Sequence, residues 1–390
     1  MNDPLKIFVI AGEPSGDRLG AALIKDLKSL TQVQLEGVGG PLMEAEGLIS
    51  QFPMEDLSVM GLVEIIPRIP KLLRRVRETA KAVLDQKPDV LVTIDSPDFC
   101  LRVAKKVKAE WPDVKIVHYV APTVWAWRPE RAEKMAKQVD HVLALFPFEP
   151  DYMRNAGMSS DFVGHPIISE PLPSRMMIDA AKGASTGKTR IAVLPGSRRG
   201  EVKRMLPLFG QVLRKLSEKH DLHVSIPTVR GSEADVKQIS EAWGFAIDYI
   251  DQSSADDWDA QKQAAIAAAD VALITSGTVT LEVAAVQSPQ VVAYQANRAT
   301  TRMVKKMALI DTANLINILT DTRDVPEFLF EAATPENLTA AIEALLTDPN
   351  KAAAQKRLAA KAIQFLTPSE DKPAARSVLR FLEGNTRSSP

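Results

Sequence analysis

Arg190-Ile191-Ala192-Val193-Leu194-Pro195-Gly196-Ser197-Arg198-Arg199-Gly200-Glu201 decides how this 390-residue chain is read. The first five residues are an apolar, β-forming run. Val202, Leu206, Phe209, Val212 and Leu216 then recur at helical spacing. Between strand and helix stands a Gly/Ser turn, whose backbone N–H groups lie beside the positive end of a helix dipole and make an anion site. Arg198 adds a planar, permanently charged fork suited to phosphate oxygens. A second turn of the same kind, Thr275-Ser276-Gly277-Thr278-Val279-Thr280-Leu281-Glu282, follows the apolar run 271–274. Two such turns in one domain point to a nucleotide diphosphate held at the carboxyl ends of parallel strands, by Gly196, Ser197, Arg198, Ser276, Gly277 and Thr278. Glu282, about one turn into its helix, suits the hydroxyls of a ribose; the plainer reading is a carboxylate favoured by the helix dipole.

Outward from that stretch the same alternation continues. Apolar runs at 6–11, 35–38, 90–94, 115–120 and 141–145 in the first half, and at 190–194, 223–227, 246–250, 271–274 and 290–293 in the second, are separated by helical patterns. The runs are nearly continuous rather than alternating, as in parallel strands buried on both faces. The expected architecture is α/β: two Rossmann-like parallel-sheet domains facing a central cleft that holds a ligand. The expected boundaries are an N-terminal domain over 1–169, a Pro- and Gly-containing linker over 170–188, a nucleotide-binding domain over 189–367, and C-terminal helices over 368–390 that join the first domain.

Composition excludes several classes. A net charge of −1 lacks the basic footprint of general nucleic-acid binding. The one cysteine, Cys100, excludes an internal disulfide and a multi-thiolate zinc site. No apolar run approaches the ~20 residues that span a bilayer, and the N-terminal run is too short for a secretory signal. The histidines are scattered and no Asp-x-Asp accompanies the nucleotide turns, so neither a metal site nor a cofactor is expected.

Four further stretches carry chemistry. Ala11-Gly12-Glu13-Pro14-Ser15-Gly16-Asp17 follows the first strand. Gly16 and Ser15 let backbone approach a ligand, and Glu13 and Asp17 bring charge to the cleft mouth; the plainer reading is a tight turn with Ser15 as helix cap. Thr93-Ile94-Asp95-Ser96-Pro97-Asp98-Phe99 ends another strand. Asp95 is the better general base there, with Asp98 expected to cap the next helix. Trp125-Ala126-Trp127-Arg128 offers aromatic faces and a cation to a sugar phosphate; Trp125 reads as core, and Trp127 is open. Finally, over 64–77, Ile66, Ile69, Leu72, Leu73 and Val76 fall on one helical arc and Arg68, Lys71, Arg74, Arg75 and Arg77 on the other side, at about 100° per residue. That suits either a surface helix or one that docks on an anionic membrane.

These motifs, with Met60-Gly61-Leu62-Val63-Glu64 and Phe162-Val163-Gly164-His165-Pro166, closely resemble in their order the lipid-A-disaccharide synthase family, inverting glycosyltransferases of GT-B architecture. The resemblance spans nearly the whole chain. It departs at Leu315-Ile316-Asn317, where the family usually reads Leu-Pro-Asn. It implies transfer of 2,3-diacylglucosamine from UDP to 2,3-diacylglucosamine 1-phosphate, without a metal. It implies Asp95 as base, Arg198 at the leaving group, and Asn317 among the UDP-sugar residues. Glu13, Ser15, Gly16, Asp17, Asp98, Trp127 and Arg128 would line the acceptor side. The implied partners are UDP-diacylglucosamine, diacylglucosamine 1-phosphate and the anionic inner-membrane surface. The implied place is the cytoplasm, peripheral on the inner face of the inner membrane, and homodimer formation is left open. Another UDP-sugar enzyme of the same fold, such as a UDP-N-acetylglucosamine 2-epimerase or a muramyl-lipid transferase, is the alternative. A non-catalytic nucleotide-binding protein at the membrane surface is a second.

Overall fold

The computed structural model describes residues 3–57, 69–183, 186–255 and 257–384. Each apolar run becomes a parallel strand, and two strands that no such run marks, β6 and β12, complete the set: β1 Leu5–Ala11, β2 Val33–Val38, β3 Val90–Ile94, β4 Ile116–Tyr119, β5 His141–Ala144, β6 Ser159–Phe162, β7 Thr189–Leu194, β8 Leu222–Thr228, β9 Ile247–Asp251, β10 Val271–Thr275, β11 Gln290–Tyr294 and β12 Glu327–Leu329. They form two six-stranded sheets with orders β2-β1-β3-β4-β5-β6 and β12-β11-β10-β7-β8-β9. Every residue of β3, β4, β5 and β10 is buried. Helices on both faces exclude water from such strands, which is why those runs lack polar alternation. In the second sheet Ile191 and Val193 enter one apolar cluster, and Ala192 and Leu194 the cluster on the opposite face, the two-residue period of a strand covered on both sides.

The chain divides into two compact units, residues 1–166 with 366–390, and residues 167–365. The C-terminal helix Pro373–Leu382 is tied to the first sheet by polar contacts. His141 Nε2 and Ser377 Oγ lie 2.8 Å apart. Ser377 Oγ donates to Asp161 at 2.8 Å, and Arg380 donates to the same carboxylate at 3.0 Å. Within the stretch expected to be a linker stands the helix Arg175–Gly183, which packs in the second unit although none of its residues is fully buried. Pro171 and Pro173 precede it rather than interrupt it, and proline breaks a helix only from inside.

Topology places the functional turns. In the first sheet the chain changes direction between β1 and β3, and in the second between β7 and β10. At such a switch point, adjacent loops part at the carboxyl ends of the strands and leave a crevice. Ala11 pairs with Ile94, and Leu194 with Ile274. The turns that follow each pair of residues are therefore neighbours.

Buried histidines make the first unit sensitive to acid. Burial pushes the imidazoles of His118, His141 and His165 from the usual 6.5 down to about 4. The unfolded chain protonates them first, so the stability they hold is full above 6.5 and drains as pH falls toward 4. Glu149, buried beneath Trp125, is pushed by desolvation from 4.5 up to about 7 and works in the opposite sense, losing stability as pH rises through that window. Three imidazoles outweigh one carboxyl. The melting temperature is expected to fall on acidification below 6.5, and His118→Asn to flatten that fall. A melting temperature that climbs steadily on acidification would show that the imidazoles are not held neutral.

Candidate functional site

In the second unit the two small-residue turns line one cavity of about 320 Å³. Gly196, Ser197, Arg198, Ser276, Gly277, Thr278 and Glu282 all border it, with Glu201, Trp258 and Lys262 among the remaining walls. Gly196 has φ +98°, and a Cβ there would lie 2.8 Å from Glu201 Oε2, so only glycine closes this turn without strain. Arg198 caps the 19-residue helix Arg199–Ser217 in extended conformation. Its side chain is 77% exposed and 3.6 Å from Glu201. A cation this loosely held, beside the positive end of a long helix, is available to an anion.

On the other side of the cavity Ser276 Oγ donates to the Ala313 carbonyl at 3.4 Å. Glu282 is half-buried, with one carboxylate oxygen 2.8 Å from Lys262 Nζ. Lys262 itself is buried, 3.5 Å from Asp259, and its ammonium lies 4.4 Å from the centre of the Trp258 ring. Trp258 is anchored in turn through Nε1 to the Ile250 carbonyl at 2.9 Å. Lys262 and Trp258 escape sequence reading. Their helix, Trp258–Ala268, carries only a scattered Lys and Trp, and Lys262 meets Glu282 from a different element.

Asn317 is not brought to this cavity. Its amide is wholly buried; Nδ2 donates to the Val325 carbonyl at 3.0 Å, and Oδ1 accepts from the Val325 amide at 3.1 Å. Both ends of the side chain are used in holding the Val325 backbone. The neighbouring departure from Leu-Pro-Asn is accommodated. Ile316 lies in the first turn of helix Leu315–Thr320, and its amide donates to Asn314 Oδ1 at 2.8 Å, a bond proline would forgo.

In the first unit, the β1 and β3 turns meet as the register requires. A Cβ on Gly12 would lie 2.7 Å from Ser96 Oγ. Asp95 and Ser96 are consecutive non-glycine residues at φ +50° and +42°, conformations that cost free energy and cluster where a side chain must be aimed. The Asp95 amide donates to the Tyr119 carbonyl at 2.9 Å, and its side chain is half-buried. Asp98 is exposed in the first turn of helix Pro97–Glu110, whose cap is Ser96, so Asp98 does not cap it. Val120 and Arg128 also have positive φ, which adds to the strain along this carboxyl edge. The Arg128 guanidinium lies 4.6 Å from the centre of the Trp127 ring, and Trp127 Nε1 donates to Thr123 at 3.2 Å.

Other expected residues take different places. Asp17 is buried; Oδ1 accepts from the Gly40 and Met43 amides and Oδ2 from Leu42, at 2.9–3.0 Å. It holds the start of helix Pro41–Ala45 and is not free for a substrate. Glu13, not Ser15, caps helix Pro14–Leu30; both are exposed, and Gly16 is buried where a Cβ would stand 3.4 Å from the Ile94 carbonyl. Ile66, Arg68 and the stretch 60–64 lie outside the described residues. The apolar arc continues along helix Ile69–Gln86 but changes surroundings: Ile69 and Leu73 are exposed, Leu72 is half-buried, and Val76 is in the core. Val76 is therefore no membrane contact. Lys71 and Arg75 pair with Asp56 at 2.5 and 2.7 Å, and Arg74 with Glu78 at 2.6 Å. Those two carboxylates engage three of the cations on that helix. Among the described residues no helix is long and apolar enough to cross a membrane, and no cluster of His, Cys, Asp and Glu could hold a metal.

Residues 7–380 match the family model described as lipid-A-disaccharide synthetase. The chain is 49% identical over 387 residues to a lipid-A-disaccharide synthase of Ruegeria pomeroyi, covering 97% of this chain and 96% of the relative. It is 41% identical over 390 residues to that of Rhodospirillum centenum, covering 98% and 96%. Among solved structures it is similar to the Staphylococcus aureus MnaA–UDP complex, with TM-score 0.64, 14% identity and 99% coverage of each chain. The TM-score to MurG of Acinetobacter baumannii is 0.56, with 15% identity, covering 98% of this chain and all of that one. At such identities the structural likeness speaks for the GT-B fold alone.

Proposed function

The chain belongs to the lipid-A-disaccharide synthetase family of glycosyltransferases, and on that premise we propose that it transfers 2,3-diacylglucosamine from UDP to 2,3-diacylglucosamine 1-phosphate. The products are the β-1,6-linked disaccharide 1-phosphate and UDP. The observation that carries this reading is the cavity at the β7/β10 switch point, where Arg198, the Gly196 turn and Glu282 converge. The nucleotide of the donor is assigned there, its diphosphate toward Arg198 and the helix terminus and its ribose toward Glu282. The acceptor is assigned to the carboxyl edge of the first sheet, with Glu13, Ser15, Trp127 and Arg128.

Asp95 takes the proton of the acceptor 6-hydroxyl as that oxygen attacks the anomeric carbon from the face opposite UDP. The bond from the anomeric carbon to the β-phosphate oxygen breaks, and its electron pair leaves on UDP. Arg198 and the turn's N–H groups meet this growing charge, the role a divalent cation fills in other glycosyltransferases. Incubation with the two substrates should yield disaccharide 1-phosphate and UDP, and turnover should survive excess chelator. A strict divalent-cation requirement would remove the charge-neutralising role from Arg198.

Lys262 is assigned as a positioning residue. It fixes one oxygen of Glu282 and leaves the other to a ribose hydroxyl. Lys262→Met should weaken UDP binding about tenfold, since it leaves a half-buried carboxylate without its partner. Lys262→Arg should restore most of the loss. Calorimetric titration with UDP that finds parent-like affinity in Lys262→Met would make the pair purely structural.

Both substrates carry acyl chains, and each buried CH₂ contributes ~0.8 kcal/mol to holding them in a bilayer. The enzyme therefore works at a membrane surface, in this reading the cytoplasmic face of the inner membrane.

A further inference from the structure

Helix Arg298–Met307 carries Arg298, Arg302, Lys305 and Lys306 and no acidic residue. At about 100° per residue these cations share one side, and Met303, Val304 and Met307 take the other. A surface helix ordinarily turns its apolar side to the core. This one does not: Met303 is 47% exposed and Val304 37%, while Thr301 points inward. Leu309, just past the helix end, is 59% exposed. Among the described residues Lys305 pairs with Glu331 at 2.7 Å, and Arg298, Arg302 and Lys306 join no ion pair. In helix Ile69–Gln86, by contrast, Lys71, Arg74 and Arg75 are met by Asp56 and Glu78.

The helix belongs to a segment tied at both ends to Ser276, a wall of the nucleotide cavity. It lies in the segment between Ala293, whose carbonyl accepts from the Ser276 amide, and Ala313, whose carbonyl accepts from Ser276 Oγ. From this placement we infer that helix Arg298–Met307, with Leu309, docks on an anionic bilayer. Met303, Val304 and Leu309 enter the boundary between headgroups and acyl chains, and Arg298, Arg302 and Lys306 meet lipid phosphates. The inference rests on the reading that the donor held in this cavity has acyl chains anchored in that bilayer. A second copy of the chain is the poorer occupant, since a two-fold contact would set one all-cationic helix against another.

The test uses the full chain and sedimentation with phosphatidylethanolamine–phosphatidylglycerol vesicles, with phosphatidylcholine vesicles for comparison. Two variants are compared with the parent: Met303→Ser/Val304→Ser/Leu309→Ser, and Arg298→Ser/Arg302→Ser/Lys306→Ser. Each should lower partitioning onto anionic vesicles by about five- to tenfold, and the second should also lose much of its salt dependence. Turnover of short-chain, detergent-dispersed substrates should be unchanged in both. Parent-like partitioning in both variants overturns the inference, as does a loss of oligomer mass in the first variant without loss of vesicle binding. A parent chain with no transferase turnover overturns the reaction reading instead, and the vesicle comparison still decides the helix.

Discussion

Asp95→Asn is expected to lower turnover by about 10²–10⁴-fold, the usual contribution of a general base, with melting temperature and UDP affinity unchanged. Asp95 stands half-buried at the carboxyl end of β3 with φ +50°. Asparagine tolerates that left-handed conformation as aspartate does, and it keeps the shape of the side chain while giving up its basicity. The variant therefore separates chemistry from folding, which Asp95→Ala would not, because alanine adds backbone strain at the same place. Asp98→Asn, on an exposed residue in the first turn of helix Pro97–Glu110, serves as the control and should retain most of the rate. Steady-state kinetics on both variants decide the matter. An active Asp95→Asn beside an inactive Asp98→Asn moves the base to Asp98.

Arg198→Ala is the second large effect. Diphosphate charge grows as the bond to the sugar breaks, so a cation at the leaving group stabilises the transition state more than the bound substrate. Both kcat and kcat/KM should fall, by about 10²–10³-fold if Arg198 acts like a donor in an oxyanion hole. Structural damage should be small. The guanidinium is 77% exposed, and its contact with Glu201, at 3.6 Å, is long; exposed pairs of this kind contribute little to stability. Arg198→Lys should recover only part of the rate, since an ammonium cannot reproduce the two-pronged fit of a guanidinium to phosphate. A rise in KM with kcat intact would reduce Arg198 to a binding residue.

The expected site residues that meet in one cavity share one property: their position follows from neighbours along the chain. Strand, small-residue turn and helix are contiguous at Leu194–Arg198 and at Thr275–Glu282, and the cavity is built from those turns. Others have partners far away in sequence. Asp17 looks like a charge at a turn until Gly40, Leu42 and Met43 are seen to surround it with amides. Asn317 looks like a ligand-binding amide until the Val325 backbone occupies both its ends. Val76 shares its helical arc with Ile69, yet core side chains cover one and not the other.

The sequence by itself determined the alternation of strand and helix, the inner strands of both sheets and the turns at their carboxyl ends. Strands buried on both faces need unbroken apolar runs, and anion-binding turns need glycine and serine in fixed order. Tertiary structure alone decided the rest. The edge strands β6 and β12 pair on one side only and include Ser159, Asp161 and Glu327, so no apolar run announces them. The union of Lys262 with Glu282, and of Ser377 with His141, joins elements that only the folded sheets bring together. Burial is a property of the packed molecule: a side chain's charge and periodicity limit what it can do, and the elements that come to lie against it determine which of those things it does.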